Sequence, residues 1–187
     1  MQNLKELSKK FEHYETPKWA VEAILDKEFL LPNVIDPCTG TGVLTKAARA
    51  RNHLVCAVDI HDWGFPLTCR GDFLQMSPPE PDLAFDMLMN PPFSKAVAFV
   101  KKSFEIGARK VVCFCPMTWW TSKSRRQFFN DFPPARIWAC AERATCWRHD
   151  MPPAKRKNDT PTMYAWFVFE QPSASIKTEI LRIYKTA

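Results

Sequence analysis

The sequence has no apolar run long enough to cross a bilayer, since its longest hydrophobic stretches are strand-sized and a spanning helix needs about 20 residues. Its beginning, MQNLKELSKKFEHYE, is charged and has no apolar core, which argues against a secretory signal. It also has no internal repeat, low-complexity tract or clear domain boundary. The 187 residues are 46% hydrophobic and 25% charged, as in ordinary globular proteins. We therefore expect a soluble, intracellular protein with one domain over residues 1–187.

Disulfide and metal signatures are also missing. The cysteines number seven, an odd count, and several lie inside apolar runs, where a thiol behaves as a small buried hydrophobe. The tightest grouping of metal-ligating types is Cys140, Cys146 and His149, and its spacing matches no common zinc pattern. The sequence thus predicts reduced cysteines and no metal.

Short apolar runs alternate with helical stretches along the first two thirds of the chain. The predicted strands are Asn33–Asp36, Leu54–Ile60, Ala84–Met89 and Arg109–Cys115, and the predicted helices are Val43–Arg51 and Ser94–Ile106. This alternation predicts an α/β fold with a mostly parallel sheet and helices on both faces. Tyr164–Phe169 and Ile180–Tyr184 read as later strands. Residues 132–161 are rich in Pro, Arg and Lys with weak periodicity, which predicts a long functional loop.

The positive charge is concentrated in one window. The net charge is +6, and residues 121–157 carry nine basic and three acidic side chains, which equals the whole excess. A solvated basic face is one interpretation. A surface that contacts phosphates is the other, because clustered Lys and Arg are the usual footprint of nucleic-acid binding.

The first chemical signal is the turn Asp36-Pro37-Cys38-Thr39-Gly40-Thr41-Gly42 between a strand and a helix. Gly40 and Gly42 allow a tight turn and close approach of a ligand to the backbone. The turn departs from the dinucleotide fingerprint G-x-G-x-x-G, since position 45 is Thr. An acid before the turn would repel a pyrophosphate, so Asp36 suits a ligand with an ammonium or a neutral sugar.

The second signal is Asp59, at the end of the next strand and 23 residues after Asp36. An acid at this point commonly accepts hydrogen bonds from ribose hydroxyls. The alternative is a strand-end Asp that caps the following turn. Asp62 competes for the ribose role.

The third signal is Asn90-Pro91-Pro92-Phe93, directly after a buried strand. The Asn90 side-chain oxygen and the Pro91 carbonyl could both accept hydrogen bonds from one exocyclic NH₂ group. The two prolines hold φ fixed and offer no N–H donor, and Phe93 could stack on a planar base. An ordinary strand-terminating turn is the alternative, since Asn-Pro often opens turns.

With these residues the chain resembles the class I S-adenosylmethionine-dependent methyltransferases, which have a Rossmann-like fold with a late antiparallel strand. Its NPPF resembles the tetrapeptide of N6-adenine methyltransferases, the small phage and prophage enzymes in particular. Tyr14-Glu15-Thr16-Pro17 resembles the N-terminal cofactor motif, and Gly71-Asp72-Phe73-Leu74 resembles the segment that contacts the cofactor adenine. The likeness spans residues 14 to about 115. It implies an enzyme in the cytoplasm of a bacterial or phage-infected cell.

The resemblance implies a role for each matched residue. It assigns Asp36, Gly40 and Gly42 to the methionine end of S-adenosylmethionine, and Asp59 to the ribose. Cys38 is also expected to bind the cofactor, although Cys38 and Thr39 stand where many family members have Gly or another small residue. Asp72 and Phe73 would hold the adenine of the cofactor. The residues expected to close over the cofactor are Tyr14, Thr16 and Pro17. The residues expected to hold the target base are Asn90, Pro91, Pro92 and Phe93.

The substrate expected from this resemblance is adenine N6 in double-stranded DNA, with the base flipped out and methylated by direct in-line transfer. The chain has no room for a separate target-recognition domain. The expected substrate-contacting residues are therefore Arg143, Trp147, Arg148, Lys155, Arg156 and Lys157. The alternatives are methylation of RNA adenine or of a protein glutamine, and, from another class, a non-catalytic nucleic-acid-binding module.

Overall fold

The computed structural model describes residues 14–80, 82–142, 144–147, 162–171 and 177–185. In this part of the chain, one eight-stranded sheet carries helices on both faces. The helices are α1 (Lys18–Leu25), α2 (Val43–Arg49), α3 (Ala96–Glu105) and α4 (Arg126–Asp131). The strands are β1 (Asn33–Asp36), β2 (Leu54–Asp59), β3 (Cys69–Arg70), β4 (Asp86–Met89), β5 (Lys110–Pro116), β6 (Arg136–Cys140), β7 (Tyr164–Glu170) and β8 (Glu179–Ile183).

The strand order is β3-β2-β1-β4-β5-β7-β6-β8. The first five strands in this order, from β3 to β5, are parallel to one another. Strand β7 is antiparallel to both of its neighbours, β5 and β6. After β1 the chain builds β2 and β3 on one side, then crosses to place β4 on the other side of β1. This reversal is the switch point at which open α/β sheets form a crevice outside the carboxyl ends of their strands. A ligand site is therefore expected at the carboxyl ends of β1 and β4.

Each face of the sheet has its own core, because successive side chains of a strand point to opposite faces. Along β5, Val112 and Phe114 pack with α1 and α2, whereas Val111 and Cys113 pack with α3 and α4. A strand covered on both faces reads as a continuous apolar run, which is the pattern of Lys110–Pro116. Strand β7 pairs with β5 on one side and β6 on the other, and its side chains also alternate between the two cores.

A buried ion cluster closes the opposite, amino-terminal edge of the parallel strands. Glu28, in the loop after α1, accepts from Arg136 Nε at 2.6 Å, Lys110 Nζ at 2.9 Å and Trp138 Nε1 at 2.7 Å. Glu170 also contacts Lys110 and Arg136. Although burial raises the pKa of Glu28, these hydrogen bonds outweigh burial and hold it at about 2. The cluster joins the α1–β1 connection to β5, β6 and β7.

The structure confirms the predicted fold class and the late antiparallel strand, and the predicted strands and helices agree with it to within two residues at each end. The loop prediction for residues 132–161 is wrong for Arg136–Cys140, which form β6 between β7 and β8. Arg136 is therefore tied into the ion cluster and does not belong to a phosphate-contacting surface. No helix among the described residues is long and apolar enough to cross a membrane.

Candidate functional site

A cleft of about 540 Å³ opens at the switch point between β1 and β4. Its volume is in the usual range for small-molecule sites. The glycine turn after β1 forms one wall, and Asn90-Pro91-Pro92-Phe93 after β4 forms the facing wall. The loop after β2 and the segment 71–73 extend the cleft at one end. Two signals that are 50 residues apart in sequence therefore meet because β1 and β4 are neighbours.

The glycine turn depends on left-handed backbone at two positions. Gly40 has φ +56° and Gly42 has φ +83°, both in the region that favours glycine. A Cβ on Gly42 would lie 2.4 Å from Cδ2 of Phe65, whose ring covers the turn from the loop after β2. Gly42 thus serves the packing of Phe65 and the start of α2, and it does not line the cleft itself.

Asp36 lies beneath this turn and is almost fully buried. Its Oδ2 accepts from the Thr45 hydroxyl at 2.7 Å, whereas Oδ1 has no hydrogen-bond partner among the residues that the structure describes. Burial raises the pKa of Asp36 to about 7, although the Thr45 hydroxyl and nearby backbone N–H groups favour the charged form. A buried carboxylate oxygen without a partner is costly. A cation bound in the cleft would relieve that cost, so the site fits a ligand with an ammonium group.

Asp59, at the end of β2, shapes the cleft through the backbone around it. Its Oδ2 accepts from the N–H of Gly40 at 2.8 Å, and its Oδ1 accepts from the N–H of His61 at 2.9 Å and from Trp63 Nε1 at 3.3 Å. Asp59 therefore caps the turn that follows its own strand, and it also bonds the backbone of the glycine turn after β1. Acceptance from a ribose stays a prediction, for which the lone pair left on Oδ2 is available. Asp62 is exposed and accepts from the N–H of Gly64.

The far end of the cleft suits a flat apolar ring. Ile60 and Phe73 both line it, and Ile60 is 51% exposed although it is a large hydrophobic residue. Phe73 is buried against Phe99, with ring centroids 5.2 Å apart. Asp72 caps the short 3-10 helix Phe73–Gln75 by accepting from the N–H of Leu74 at 3.0 Å. Its second carboxylate oxygen remains for a ligand amine.

The amide of Asn90 is held in one orientation. Its Nδ2 donates to the carbonyl of Tyr14 at 2.8 Å and to the hydroxyl of Thr16 at 2.9 Å. In the described part of the chain, Asn90 Oδ1 and the carbonyl of Pro91 accept no hydrogen bond, whereas the carbonyl of Pro92 accepts from the N–H of Lys95. Two acceptor oxygens therefore remain on the wall that faces the glycine turn.

Aromatic rings surround this wall. Phe93 stacks on Tyr14 with centroids 5.9 Å apart and planes at 18°, and it also contacts Tyr164 at 6.0 Å. Tyr164 begins β7, whose antiparallel direction brings its first residue to the carboxyl end of β5. Burial raises the pKa of the Tyr164 hydroxyl. The ring therefore enters the site as a neutral group.

The cysteine in the glycine turn is a neutral thiol. Burial raises the pKa of Cys38 well above its ordinary value, and the charges of Asp36 and Asp59 raise it further. A thiol in this state is a poor nucleophile, since the thiolate is the reactive form. Cys38 lines the cleft as a neutral side chain.

The structure brings most of the predicted site residues to one cleft, while Pro17, Asp36 and Gly42 lie next to it and form no part of its wall. Pro17 precedes α1, and its carbonyl accepts from the first turn of that helix. Trp147 lies beside the segment 14–16, where its carbonyl accepts from the N–H of Glu15 at 3.2 Å. The predicted substrate-contacting residues Arg143, Arg148, Lys155, Arg156 and Lys157 lie outside the described residues.

Sequence reasoning missed several residues of the site. Ile60 and Trp63 line the cleft from the loop after β2, which has no recognisable motif. Glu15 lies inside a recognised motif, yet its bond to the Thr41 hydroxyl, at 2.7 Å, links two segments far apart in sequence. Tyr164 gave only a strand signal, because its place at the site depends on strand direction.

No protein-family model matches the chain, and no curated protein matches it in sequence. Its structure is similar to a candidate RNA methyltransferase of Pyrococcus horikoshii, with a TM-score of 0.52, 17% identity, and 89% of this chain and 96% of that chain covered. A candidate class I S-adenosylmethionine-dependent methyltransferase of Listeria monocytogenes has a TM-score of 0.50 and 13% identity, with 90% and 62% covered.

The type I restriction-modification methyltransferase subunit of Streptococcus thermophilus is also similar, with a TM-score of 0.61 and 13% identity. The match covers 94% of this chain and 48% of the subunit, so the chain spans about half of that protein's length. At such identities the likeness concerns the fold. The chain has the Rossmann-like fold of the class I methyltransferases.

Proposed function

We propose that this protein is an S-adenosylmethionine-dependent methyltransferase that methylates N6 of adenine in DNA. The observation that carries the proposal is the placement of two kinds of polar group at facing walls of one cleft, one buried directly behind its wall and the other on the wall itself. An orphaned, buried carboxylate oxygen lies beneath the glycine turn, and two unoccupied acceptor oxygens, of Asn90 and Pro91, lie on the facing wall. The first suits an ammonium group and the second suits an NH₂ group, which are the ends of the two substrates of this reaction.

The residues of the cleft fit this cofactor. Asp36 would balance its ammonium group, and Ile60 and Phe73 would hold its adenine between them, with Asp72 accepting from the adenine amine. When bound, S-adenosylmethionine supplies a methyl group on a positively charged sulfur. The cleft, of about 540 Å³, has the volume of a site for a small-molecule cofactor.

The exocyclic amine of adenine is a weak nucleophile, because its lone pair is delocalised into the ring. Asn90 Oδ1 and the Pro91 carbonyl would accept its two N–H bonds and favour a pyramidal nitrogen. Phe93 would stack on the flipped base and offset part of the cost of unstacking, which is about a few kcal/mol. Holding the amine in line with the methyl group supplies most of the catalysis. The departing proton goes to water, since methylation makes the nitrogen acidic.

The concentration of basic residues between positions 143 and 157 of the sequence supports a nucleic acid substrate. Trp147 directly precedes the basic stretch 148–161 and lies beside the cleft, since its carbonyl accepts from the N–H of Glu15, which lines the cleft. We infer that Arg143, Arg148 and Lys155 to Lys157 contact phosphates there. Methylation of RNA adenine is the second candidate, and the similarity to the Pyrococcus protein, described as an RNA methyltransferase, favours it.

The test supplies radiolabelled S-adenosylmethionine with DNA, RNA and protein extracts, followed by digestion and separation of the products. We expect label in N6-methyldeoxyadenosine. Label in N6-methyladenosine from RNA alone, or in protein glutamine, would replace the DNA assignment. A chain that binds DNA but never binds S-adenosylmethionine would be a non-catalytic module.

Replacement of Asn90 tests the proposed base contact. Asn90→Ala should lower transfer by at least about 100-fold, because two oriented hydrogen bonds in the transition state are lost. Cofactor affinity should change little. The matched control is Asn130→Ala, which removes an exposed amide from α4. If both variants transfer methyl groups at the wild-type rate, Asn90 does not hold the amine.

A further inference from the structure

The orientation of the Asn90 amide is set outside the strand that carries it. Both anchors of Nδ2, the Tyr14 carbonyl and the Thr16 hydroxyl, belong to the segment 14–16. A main-chain carbonyl can only accept, so the atom that faces Tyr14 must be the amide nitrogen. The opposite orientation would put Oδ1 against that carbonyl and lose the hydrogen bond to Tyr14, while the Thr16 hydroxyl can bond the amide in either orientation. The segment thereby determines which amide atom the cleft receives.

Thr16 is placed to act on the substrate through Asn90, because it bonds the Asn90 amide and also lines the cleft. Its side chain is 3% exposed and lines the cleft. The hydroxyl oxygen accepts from Asn90, and the hydroxyl has one O–H of its own, for which the described residues offer no acceptor. The buried Thr16 hydroxyl therefore restrains the Asn90 amide and still has one O–H to donate at the wall of the cleft.

The segment 14–16 also contacts the wall that the glycine turn forms. The Glu15 carboxylate accepts from the Thr41 hydroxyl at 2.7 Å, within the glycine turn, and the Tyr14 ring stacks on Phe93. Residues 14–16 thus contact both walls of the cleft. Displacement of this segment would release the amide of Asn90 without touching β4.

We infer that Thr16, together with the main-chain carbonyl of Tyr14, is a positioning residue that fixes Asn90 with Oδ1 directed at the amine to be methylated. This inference rests on the proposed function and deepens it. Thr16 acts through Asn90, so its loss should lower the rate of transfer more than it weakens binding. The Tyr14 carbonyl selects the amide orientation, and the Thr16 hydroxyl restrains the side chain in it. Without that second hydrogen bond, Asn90 moves more freely and Oδ1 is directed at the substrate amine for less of the time.

The kinetic test compares Thr16→Val, which keeps the shape and removes the hydroxyl, with Thr16→Ser, which restores it. We expect Thr16→Val to lower kcat on an adenine-containing duplex about tenfold, with KM for DNA and Kd for the cofactor within about threefold. Thr16→Ser should recover most of the loss. The control is Thr178→Val, whose hydroxyl bonds the Pro134 carbonyl at the opposite edge of the sheet, and it should match wild type.

A second readout needs no methyl transfer. In protein labelled with ¹⁵N-asparagine, the Asn90 side-chain NH₂ signal, identified by its loss in Asn90→Ala, should exchange slowly with water. Thr16→Val should speed that exchange and Thr16→Ser should not. The inference is overturned if Thr16→Val leaves kcat unchanged, whether or not the Kd for the cofactor rises. It is also overturned if Thr16→Val leaves the exchange rate of the Asn90 amide unchanged. Slow exchange in a wild-type protein that methylates no adenine would instead keep the orientation and overturn the proposed function.

Discussion

The contact between Gly42 and Phe65 allows the cost of a side chain in the glycine turn to be separated into two terms. In Gly42→Ala, the new Cβ would lie 2.4, 2.5 and 2.7 Å from Cδ2, Cε2 and Cγ of Phe65. Rotation of the ring about its own axis leaves Cγ in place, so the ring must move as a whole. The left-handed backbone adds about 1 kcal/mol for any L side chain, and the clash adds about 1–3 kcal/mol. We expect Gly42→Ala to lower the free energy of unfolding by about 2–4 kcal/mol.

Two other glycines provide matched controls. Gly64 has the same φ of +83° as Gly42 but nothing within 4 Å of an added Cβ, so Gly64→Ala should cost only the backbone term of about 1 kcal/mol. Gly71 has open space and no positive φ, so Gly71→Ala should leave stability nearly unchanged. In a Phe65→Ala background, the cost of Gly42→Ala should fall to that of Gly64→Ala.

Urea unfolding of the single and double variants measures these differences as a thermodynamic cycle. A coupling of at least about 1 kcal/mol between positions 42 and 65 is expected. If Gly42→Ala costs no more than Gly64→Ala, or if Phe65→Ala leaves its cost unchanged, then Phe65 does not cover the turn and the argument fails.

Two buried carboxylates should give opposite pH dependences. Because the native pKa of Asp36 is raised to about 7, the native state keeps a proton that the unfolded state releases near pH 4, and stability falls by about 4 kcal/mol as pH rises through this window. An ammonium nearby should expel that proton, so cofactor affinity should tighten about tenfold from about pH 5.5 to about pH 7; calorimetry that finds the same trends in Asp36→Asn contradicts this. Because the native pKa of Glu28 is lowered to about 2, its contribution is present above about pH 4.5 and is lost as pH falls. Glu28→Gln should cost about 3 kcal/mol at pH 7, unlike the exposed control Glu105→Gln, and equal urea midpoints for the two variants would contradict the ion cluster.

The fold could be predicted from the sequence where local pattern and burial agree. The run that forms β5 has near-continuous apolar side chains, because both of its faces are covered. Strand β6 gave no such signal, since Arg136 and Trp138 reach the buried Glu28, which is more than 100 residues away in sequence. A strand whose polar side chains are satisfied by a distant residue reads locally as a loop.

The site could be predicted as a set of residue types but not as a geometry. Motif spacing identified Asp36 and Asn90, because strand-to-helix turns recur at the carboxyl edge of parallel sheets. The orientation of the Asn90 amide depends on atoms 74 and 76 residues earlier. The contacts of Asp59 could not be predicted either, because its bonds to Gly40 and Trp63 depend on how the loop after β2 folds over the glycine turn.

The reversed strand β7 explains why a sheet that is otherwise parallel can complete this cleft. A parallel strand in that place would start at the amino-terminal edge, next to the ion cluster around Glu28. Because β7 runs antiparallel, Tyr164 pairs with Pro116 at the carboxyl edge and its ring reaches Phe93. The far end of the same strand delivers Glu170 to Lys110, so one strand supports both edges. Its reversal thus brings an aromatic ring to the base-holding wall while its other end stabilises the scaffold beneath.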